Sequence, residues 1–343
     1  MSSHAQGQKL GIAVIGCGHW GPNHLRNFTA HRRTQVLYCV DLDPQRLARA
    51  QELYPAVEMT TELDRALDDP AVKAVVISTP TITHYDLTRR ALQKGKHVLC
   101  EKPLAGTSAE AEELGALALA AGKILMVGHV FLFNPGIRKL RELITAGELG
   151  RIHYLHATRT NLGPIRQDVD SVWDLAPHDI SILNFLLDQQ AVEVSARGSF
   201  YLQDGKADVA FITLTYPHNV LANIHVSWLD PKKIRQLTVV GDLKMVTWDD
   251  MNPGSPISIY DKGVVKEAYY SDFGEFQLVT KEGDIVIPKV RALEPLRAQT
   301  DFFVTALESG TLDLCTPEEG TQVVRVLQAI ERSMKAGGAP IKV

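Results

Sequence analysis

The chain has 343 residues, 45% of them apolar and 22% charged, which fits a globular protein of about two domains and excludes disorder or a coiled coil as a whole-chain description. Lys and Arg number 36 against 40 Asp and Glu, a formal charge of −4. No positive field therefore spreads over the molecule, and nucleic acid is not an expected partner. The basic doublets Arg32–Arg33, Arg89–Arg90 and Lys232–Lys233 are scattered and read as solvated surface. Cys17, Cys39, Cys100 and Cys315 stand far apart, without CxxC or Cys/His ligand spacing. That usage fits a reducing compartment. Met1 to Lys9 lacks a basic-then-apolar signal pattern, and no apolar run approaches the roughly 20 residues that span a bilayer. The expected location is the cytoplasm, with no membrane partner.

Leu10 to Ile15 is a short apolar run followed at once by glycines, which predicts a buried strand. Helical spacing runs from Pro22 to Ala30, a second strand from Gln35 to Val40, and a helix from Pro44 to Leu53, with Asp43 as its cap. A short helix at Glu62 to Leu67 precedes a third strand at Ala74 to Ser78, then a helix at His84 to Lys94 and a fourth strand at His97 to Cys100. Ser108 to Ala121 is helical, with Thr107 and Glu110 at capping-box spacing, and Ile124 to Gly128 is the fifth strand. Strands alternating with helices predict βαβ units and a parallel sheet, an α/β Rossmann domain over residues 1–128.

The pattern then changes. A helix at Ile137 to Ala146 and a strand at Ile152 to Thr160 lead into a Gly/Pro loop. From Val192 to Ile287 strand-like alternation is broken at Asp204–Gly205, Pro217–Asn219, Gly241–Asp242, Lys262–Gly263 and Glu282–Gly283, which predicts a large, mostly antiparallel sheet. Helices at Leu296 to Leu307 and Pro317 to Ala336 close the chain. The second domain is thus residues 129–343, an α/β domain with an open sheet, its last helix expected to pack back on the first domain.

Gly16, Gly18 and Gly21 form GxGxxG between a strand and a helix, the context in which the motif signifies a dinucleotide site. Gly16 permits the tight turn, Gly18 lets backbone approach a pyrophosphate and Gly21 permits close helix–strand packing. His19 and Trp20, inside the turn, are counted with the cofactor contacts. Asp41 ends the second strand, placed to accept ribose hydroxyls and repel a 2′-phosphate. Leu42 and Asp43 offer no guanidinium, and Arg46 lies a helical turn away, so the expected cofactor is NAD. Glu101–Lys102–Pro103 follows the fourth strand at the ligand-binding edge of an open α/β sheet, where desolvation makes a lysine usable in proton transfer. In Trp173–Asp174–Leu175–Ala176–Pro177–His178–Asp179, Pro177 is expected to start a helix, with His178 in its first turn and Asp174 just before it. His129, His153 and His156 form no spaced ligand set, so no metal is expected.

Taken together, GxGxxG, Gly95–Lys96–His97–Val98, Glu101–Lys102–Pro103 and Asp174 with His178 resemble the Gfo/Idh/MocA family of NAD(P)-dependent oxidoreductases over essentially the whole chain. The stretch Arg159–Thr160–Asn161–Leu162–Gly163, followed by the Trp173–Asp179 segment, most resembles members acting at C3 of nucleotide sugars, UDP-N-acetylglucosamine or its uronic acid. The resemblance implies a catalytic pair of Lys102 and His178, with Asp174 as a substrate-binding or tuning partner. It implies Thr79, Pro80, His84, Glu101 and Trp173 at the cofactor, and Arg159 and Asn161 with Lys102, Asp174 and His178 at the substrate. It also implies an open sheet that builds a homodimer or homotetramer, with Val209, Phe211 or Ile224 as candidate apolar residues on its exposed face. Other sugar or inositol dehydrogenases and keto-sugar reductases of the family are the alternatives. A non-enzymatic NAD-binding regulator is the other class, and a sensor needs no proton-transfer pair.

Overall fold

Short apolar runs that read as strands become a six-stranded parallel sheet: β1 (Leu10–Ile15), β2 (Thr34–Val40), β3 (Glu58–Thr60), β4 (Val72–Ile77), β5 (His97–Cys100) and β6 (Leu125–Val127). Its order is β3-β2-β1-β4-β5-β6. The chain runs outward from β1 in one direction, then restarts beside it at β4. The carboxyl ends of β1 and β4 are therefore the switch point at which open sheets of this kind bind ligands. The computed structural model describes residues 9–268 and 276–343. Residues 1–8, read as free of a signal pattern, and 269–275, inside the predicted strand region, lie outside the described residues.

The intervening helices are α1 (Gly21–Ala30), α2 (Pro44–Leu53), α3 (Leu63–Asp68), α4 (His84–Gln93) and α5 (Ser108–Ala120). Local chemistry sets their starts. Asp43 accepts a hydrogen bond from Gln45 N ahead of Pro44, and Thr107 with Glu110 completes a capping box on α5. Strand β3 has no counterpart in the sequence reading, because three residues carry no readable period.

The second sheet has nine strands in the order β16-β13-β12-β11-β7-β10-β9-β8-β17. Its members in chain order are β7 (Ile152–Leu162), β8 (Glu193–Ser199), β9 (Val209–Tyr216), β10 (Val220–Ser227), β11 (Leu229–Gly241), β12 (Met245–Asp249), β13 (Ile257–Tyr260), β16 (Ile285–Val286) and β17 (Ile341–Lys342). Strands β14 (Gly263–Ala268) and β15 (Phe276–Lys281) pair separately as an antiparallel ribbon. Within the nine, β7 and β10 run parallel and the other pairs antiparallel. The sheet is mixed because β7 enters it from far earlier in the chain. Helices α6 (Pro135–Thr145) and α7 (Ser171–Leu187) belong with it, and α8 (Pro295–Ser309) and α9 (Pro317–Lys335) follow. The first unit comprises residues up to 130 with 294–324, and the second 131–293 with 325–343. The segment 294–324, assigned by sequence to the second domain, thus clusters with the first, where Phe303 of α8 meets Phe28 of α1 edge-on.

Helix α7 packs on β7, β9 and β10 and buries Ala210, Ile212, Leu214, Ile224 and Val226. Period-two alternation sends the opposite set outward, leaving Tyr154, Phe211 and Leu221 exposed. Ile224 was expected on the open face. It pairs directly with Ile212, so its side chain shares Ile212's inward face.

Candidate functional site

Each unit holds its own share of the predicted residues. In the first, β1 ends in Gly16–Cys17–Gly18–His19–Trp20–Gly21 and α1 follows at once. The three glycines differ in what surrounds them. Gly16 has φ +92° and a Cβ there would meet Ser78 O at 2.8 Å, while a Cβ on Gly21 would lie 2.0 Å from Gly16 O. Both are demanded by the turn itself. A Cβ on Gly18 would meet only the Arg46 Nη1 tip, at 3.7 Å, so the protein leaves that side open. Helix α1 starts without a capping side chain or an acidic residue in its first turn, as suits a diphosphate. His19 is exposed and its ring stands edge-on to Trp20.

Asp41 lies buried at the end of β2, Oδ2 accepting from Cys17 N at 2.6 Å and Oδ1 from Asp43 N at 2.8 Å. A carboxylate has about four acceptor positions, so one backbone donor on each oxygen fixes its direction and leaves capacity for two ribose hydroxyls. Arg46 Nη1 stands 3.8 Å from Oδ2, nearer than its distance along the sequence suggested. The residues fit NAD.

The loop after β4 closes the other side. Ser78 Oγ donates to Gly16 O at 2.9 Å, and Thr83 Oγ1 to Thr79 Oγ1 at 2.7 Å. Pro80 is exposed, and His84, first in α4, is buried. After β5, Glu101 and Lys102 are buried, and Glu101 Oε1 accepts from His24 Nε2 at 2.9 Å. Burial pushes the Glu101 carboxyl up, but the His24 hydrogen bond and charge, with Lys102 and His84, outweigh it and hold it below the usual range. His129, just past β6, is also buried, and neither ring nitrogen has a partner among the described residues. Burial, with opposing effects of Glu101 and Lys102, brings it down to about 4, a neutral imidazole. Sequence reading considered His129 only as a metal ligand and passed over His24. The latter's signal was a histidine on α1 at a helical spacing that buries it.

In the second unit the expectation that Pro177 starts a helix is corrected. Helix α7 begins at Ser171, because Asp170 accepts from Trp173 N at 2.9 Å and caps it, and Pro177 sits inside. Asp174 and His178 therefore lie four residues apart on one helix face. Asp174 Oδ1 accepts from Arg166 Nη1 at 2.9 Å and Oδ2 from Trp228 Nε1 at 3.2 Å. His178 is buried with its ring edge-on to Phe131, centroids 4.9 Å apart. Trp173 is buried, its indole N–H donating to Glu331.

Arg159 is 2% exposed. Its Nε and Nη2 grip both oxygens of Asp179 at 2.8 and 2.9 Å, and its guanidinium lies 4.3 Å from the Phe131 ring centroid. Breaking such a buried pair costs about 3–5 kcal/mol. The geometry gives Arg159 the task of fixing α7 and Phe131 beside His178. Asn161 donates to Gly163 O and braces the following loop. Arg166, Trp228 and Phe131, which steady Asp174 and His178, were not legible in the sequence, since Trp228 and Phe131 come from distant segments and Arg166 from an irregular loop with no readable period.

A glycine turn with one open side, beside a buried carboxylate with acceptor capacity to spare, fits a dinucleotide, and the family match makes the first unit an NAD-binding domain and the chain an NAD-dependent oxidoreductase. Residues 10–129 match the GFO/IDH/MocA oxidoreductase family with NAD-binding Rossmann fold, and residues 137–247 match the GFO/IDH/MocA C-terminal domain; the chain belongs to this family. UDP-N-acetylglucosamine 3-dehydrogenase of Acidithiobacillus ferrooxidans is 31% identical over 259 residues, spanning 73% of this chain and 76% of its own. Inositol 2-dehydrogenase 2 of Saccharopolyspora erythraea is 26% identical over 344 residues, 97% of this chain and 96% of its own. The structure of GenD2 from gentamicin A biosynthesis, in complex with NAD, aligns at TM-score 0.82 and 25% identity over 100% of this chain and 98% of that one. No helix among the described residues is long and apolar enough to cross a membrane.

Proposed function

We propose that this enzyme oxidises C3 of a UDP-N-acetylhexosamine or its uronic acid. Asp174 and His178 on one face of α7, with Asp174 aimed by Arg166 and Trp228, carry the reading. Such a face offers a carboxylate and an imidazole to a sugar hydroxyl. The first unit would hold NAD, which when bound would supply the hydride acceptor for the carbinol carbon. Lys102 or His178 takes the hydroxyl proton, and Asp174 binds the sugar or tunes the histidine. Asn161 contributes to the substrate region, and Arg159 acts through Phe131 and Asp179.

A second feature favours a nucleotide-linked sugar. The loop between β8 and β9 exposes Phe200 and Tyr201, and Gln203 and Lys206 of that loop bond to the carbonyls of Arg166 and Gln167. Exposed aromatics on a loop braced to the Asp174 anchor suit stacking of a base. The inositol dehydrogenase relative, matched over nearly the full chain, supports the second reading, a cyclitol or free-sugar dehydrogenase. NADH formation with UDP-N-acetylglucosamine, its uronic acid, free N-acetylglucosamine and inositols separates the two. Turnover of the UDP-sugars alone is the expected result; turnover of inositol with none of the UDP-sugars overturns it.

We also propose that the open sheet face, with Tyr154, Phe211 and Leu221 exposed, is covered by a second copy of the chain in a homodimer or homotetramer. Light scattering at micromolar concentration is expected to give a multiple of the monomer mass. A monomeric mass rejects the proposal.

A further inference from the structure

His84 Nδ1 lies 2.7 Å from Pro103 O and Nε2 lies 2.9 Å from Thr79 O. Both partners are backbone carbonyls, which only accept, so both ring nitrogens must carry hydrogens. In either neutral tautomer one bare nitrogen would face a carbonyl oxygen at hydrogen-bond distance, lone pair against lone pair. Turning the ring over gives no escape, because it would bring a ring carbon to about that separation from each oxygen, inside ordinary C···O contact.

The ring is 1% exposed and therefore beyond the reach of solvent compensation. Burial works against the charge, as does a position at the N-terminus of α4. The Cys100 sulfur and the two carbonyls outweigh burial and hold the imidazolium up to about 9. Its charged and titratable surroundings are Cys100 at the end of β5, then Glu101 with its partner His24 from α1, and Lys102. On α4 itself are Tyr85 and Asp86, with Glu110 and Glu113 of α5 reaching Tyr85.

We propose that His84 is a positioning residue that stays doubly protonated at neutral pH and straps two cofactor-site loops together, one N–H to each. One loop carries Thr79 and Pro80 and is bonded through Ser78 to Gly16 of the glycine turn. The other carries Glu101, Lys102 and Pro103. The strap thus links the ends of β1, β4 and β5 and sets the spacing between the pyrophosphate turn and the Lys102 loop. The inference rests on the NAD site and is independent of the choice of substrate. The folded-state pKa is raised from 6.5 to about 9. The ring therefore keeps both hydrogens through neutral pH, and the strap's contribution to stability, full below about pH 6.5, is lost as pH rises through about 9.

Two measurements test it without any substrate. A neutron structure of wild-type crystals at about pH 7.5 is expected to show deuterium on both His84 ring nitrogens. NAD affinity by calorimetry is expected to be steady up to about pH 8 in the wild type and to weaken above about pH 9. His84→Gln is expected to bind NAD about 10–100-fold more weakly at neutral pH, the usual worth of a hydrogen bond from a charged donor, and to lack the alkaline weakening. A bare ring nitrogen overturns the proposal. So does wild-type NAD affinity in His84→Gln with the alkaline weakening intact.

Discussion

Lys102→Met and His178→Phe are each expected to lower kcat by about 10²–10⁴-fold, the usual contribution of a positioned proton-transfer group, with NAD affinity little changed. Both substitutions preserve shape. Met keeps the buried lysine stem and removes only the ammonium. Phe keeps an aromatic ring edge-on to Phe131, where His178 sits at a centroid distance of 4.9 Å. The two residues belong to different units, and whether they act together, as proposed, is what a double variant examines. Groups that act as a unit are strongly non-additive, so the double variant is expected to be scarcely slower than the worse single one. Losses that multiply would mean two independent roles. Near-wild-type turnover in His178→Phe would make that histidine structural and leave Lys102, or another group, as the base.

Gly18→Val is expected to weaken NAD binding by about 5- to 150-fold while the chain stays folded. Gly18 has no positive φ, and a Cβ there meets only the flexible tip of Arg46. A valine is therefore compatible with the backbone but occupies the space through which the pyrophosphate must approach. Forcing extra carbons into a fitted site costs about 1–3 kcal/mol, roughly a 5- to 150-fold loss of affinity. The contrast with Gly21 makes the experiment specific. A Cβ on Gly21 would collide with Gly16 O at 2.0 Å, so Gly21→Ala is expected to disturb the fold itself. Thermal denaturation alongside calorimetry separates these outcomes. Unchanged NAD affinity in a folded Gly18→Val protein would reduce the loop to an ordinary turn.

The sequence spoke clearly where the physics is local. Apolar runs too short for helices, four of them followed by glycine or a charged residue, marked five of the six parallel strands. Asp43 and Thr107 were readable as caps because capping acts within three residues. Asp41 was readable because a strand of known length carries it to the sheet's edge. Asp170 was passed over in favour of Pro177, since proline's tolerance in the first turn resembles a start signal whether or not a capped turn precedes it. That error displaced the start of α7 but not the four-residue spacing of Asp174 and His178.

The sequence by itself therefore determined the fold class, the glycine turn between strand and helix, and the family, because each depends on periodicity or spacing along the chain. Tertiary structure supplied the contacts behind that turn: a Cβ on Gly16 or Gly21 would meet backbone, and one on Gly18 only the tip of Arg46. It also buried Arg159 against Asp179, brought Arg166 and Trp228 to Asp174, and placed His24 on Glu101. It set His84 between two carbonyls 24 residues apart, Thr79 and Pro103, and so fixed its charge. These are contacts across loops or between separate elements, outside the reach of helix or strand periodicity. The partner that orients a side chain or sets its protonation leaves no local pattern, and only packing reveals it.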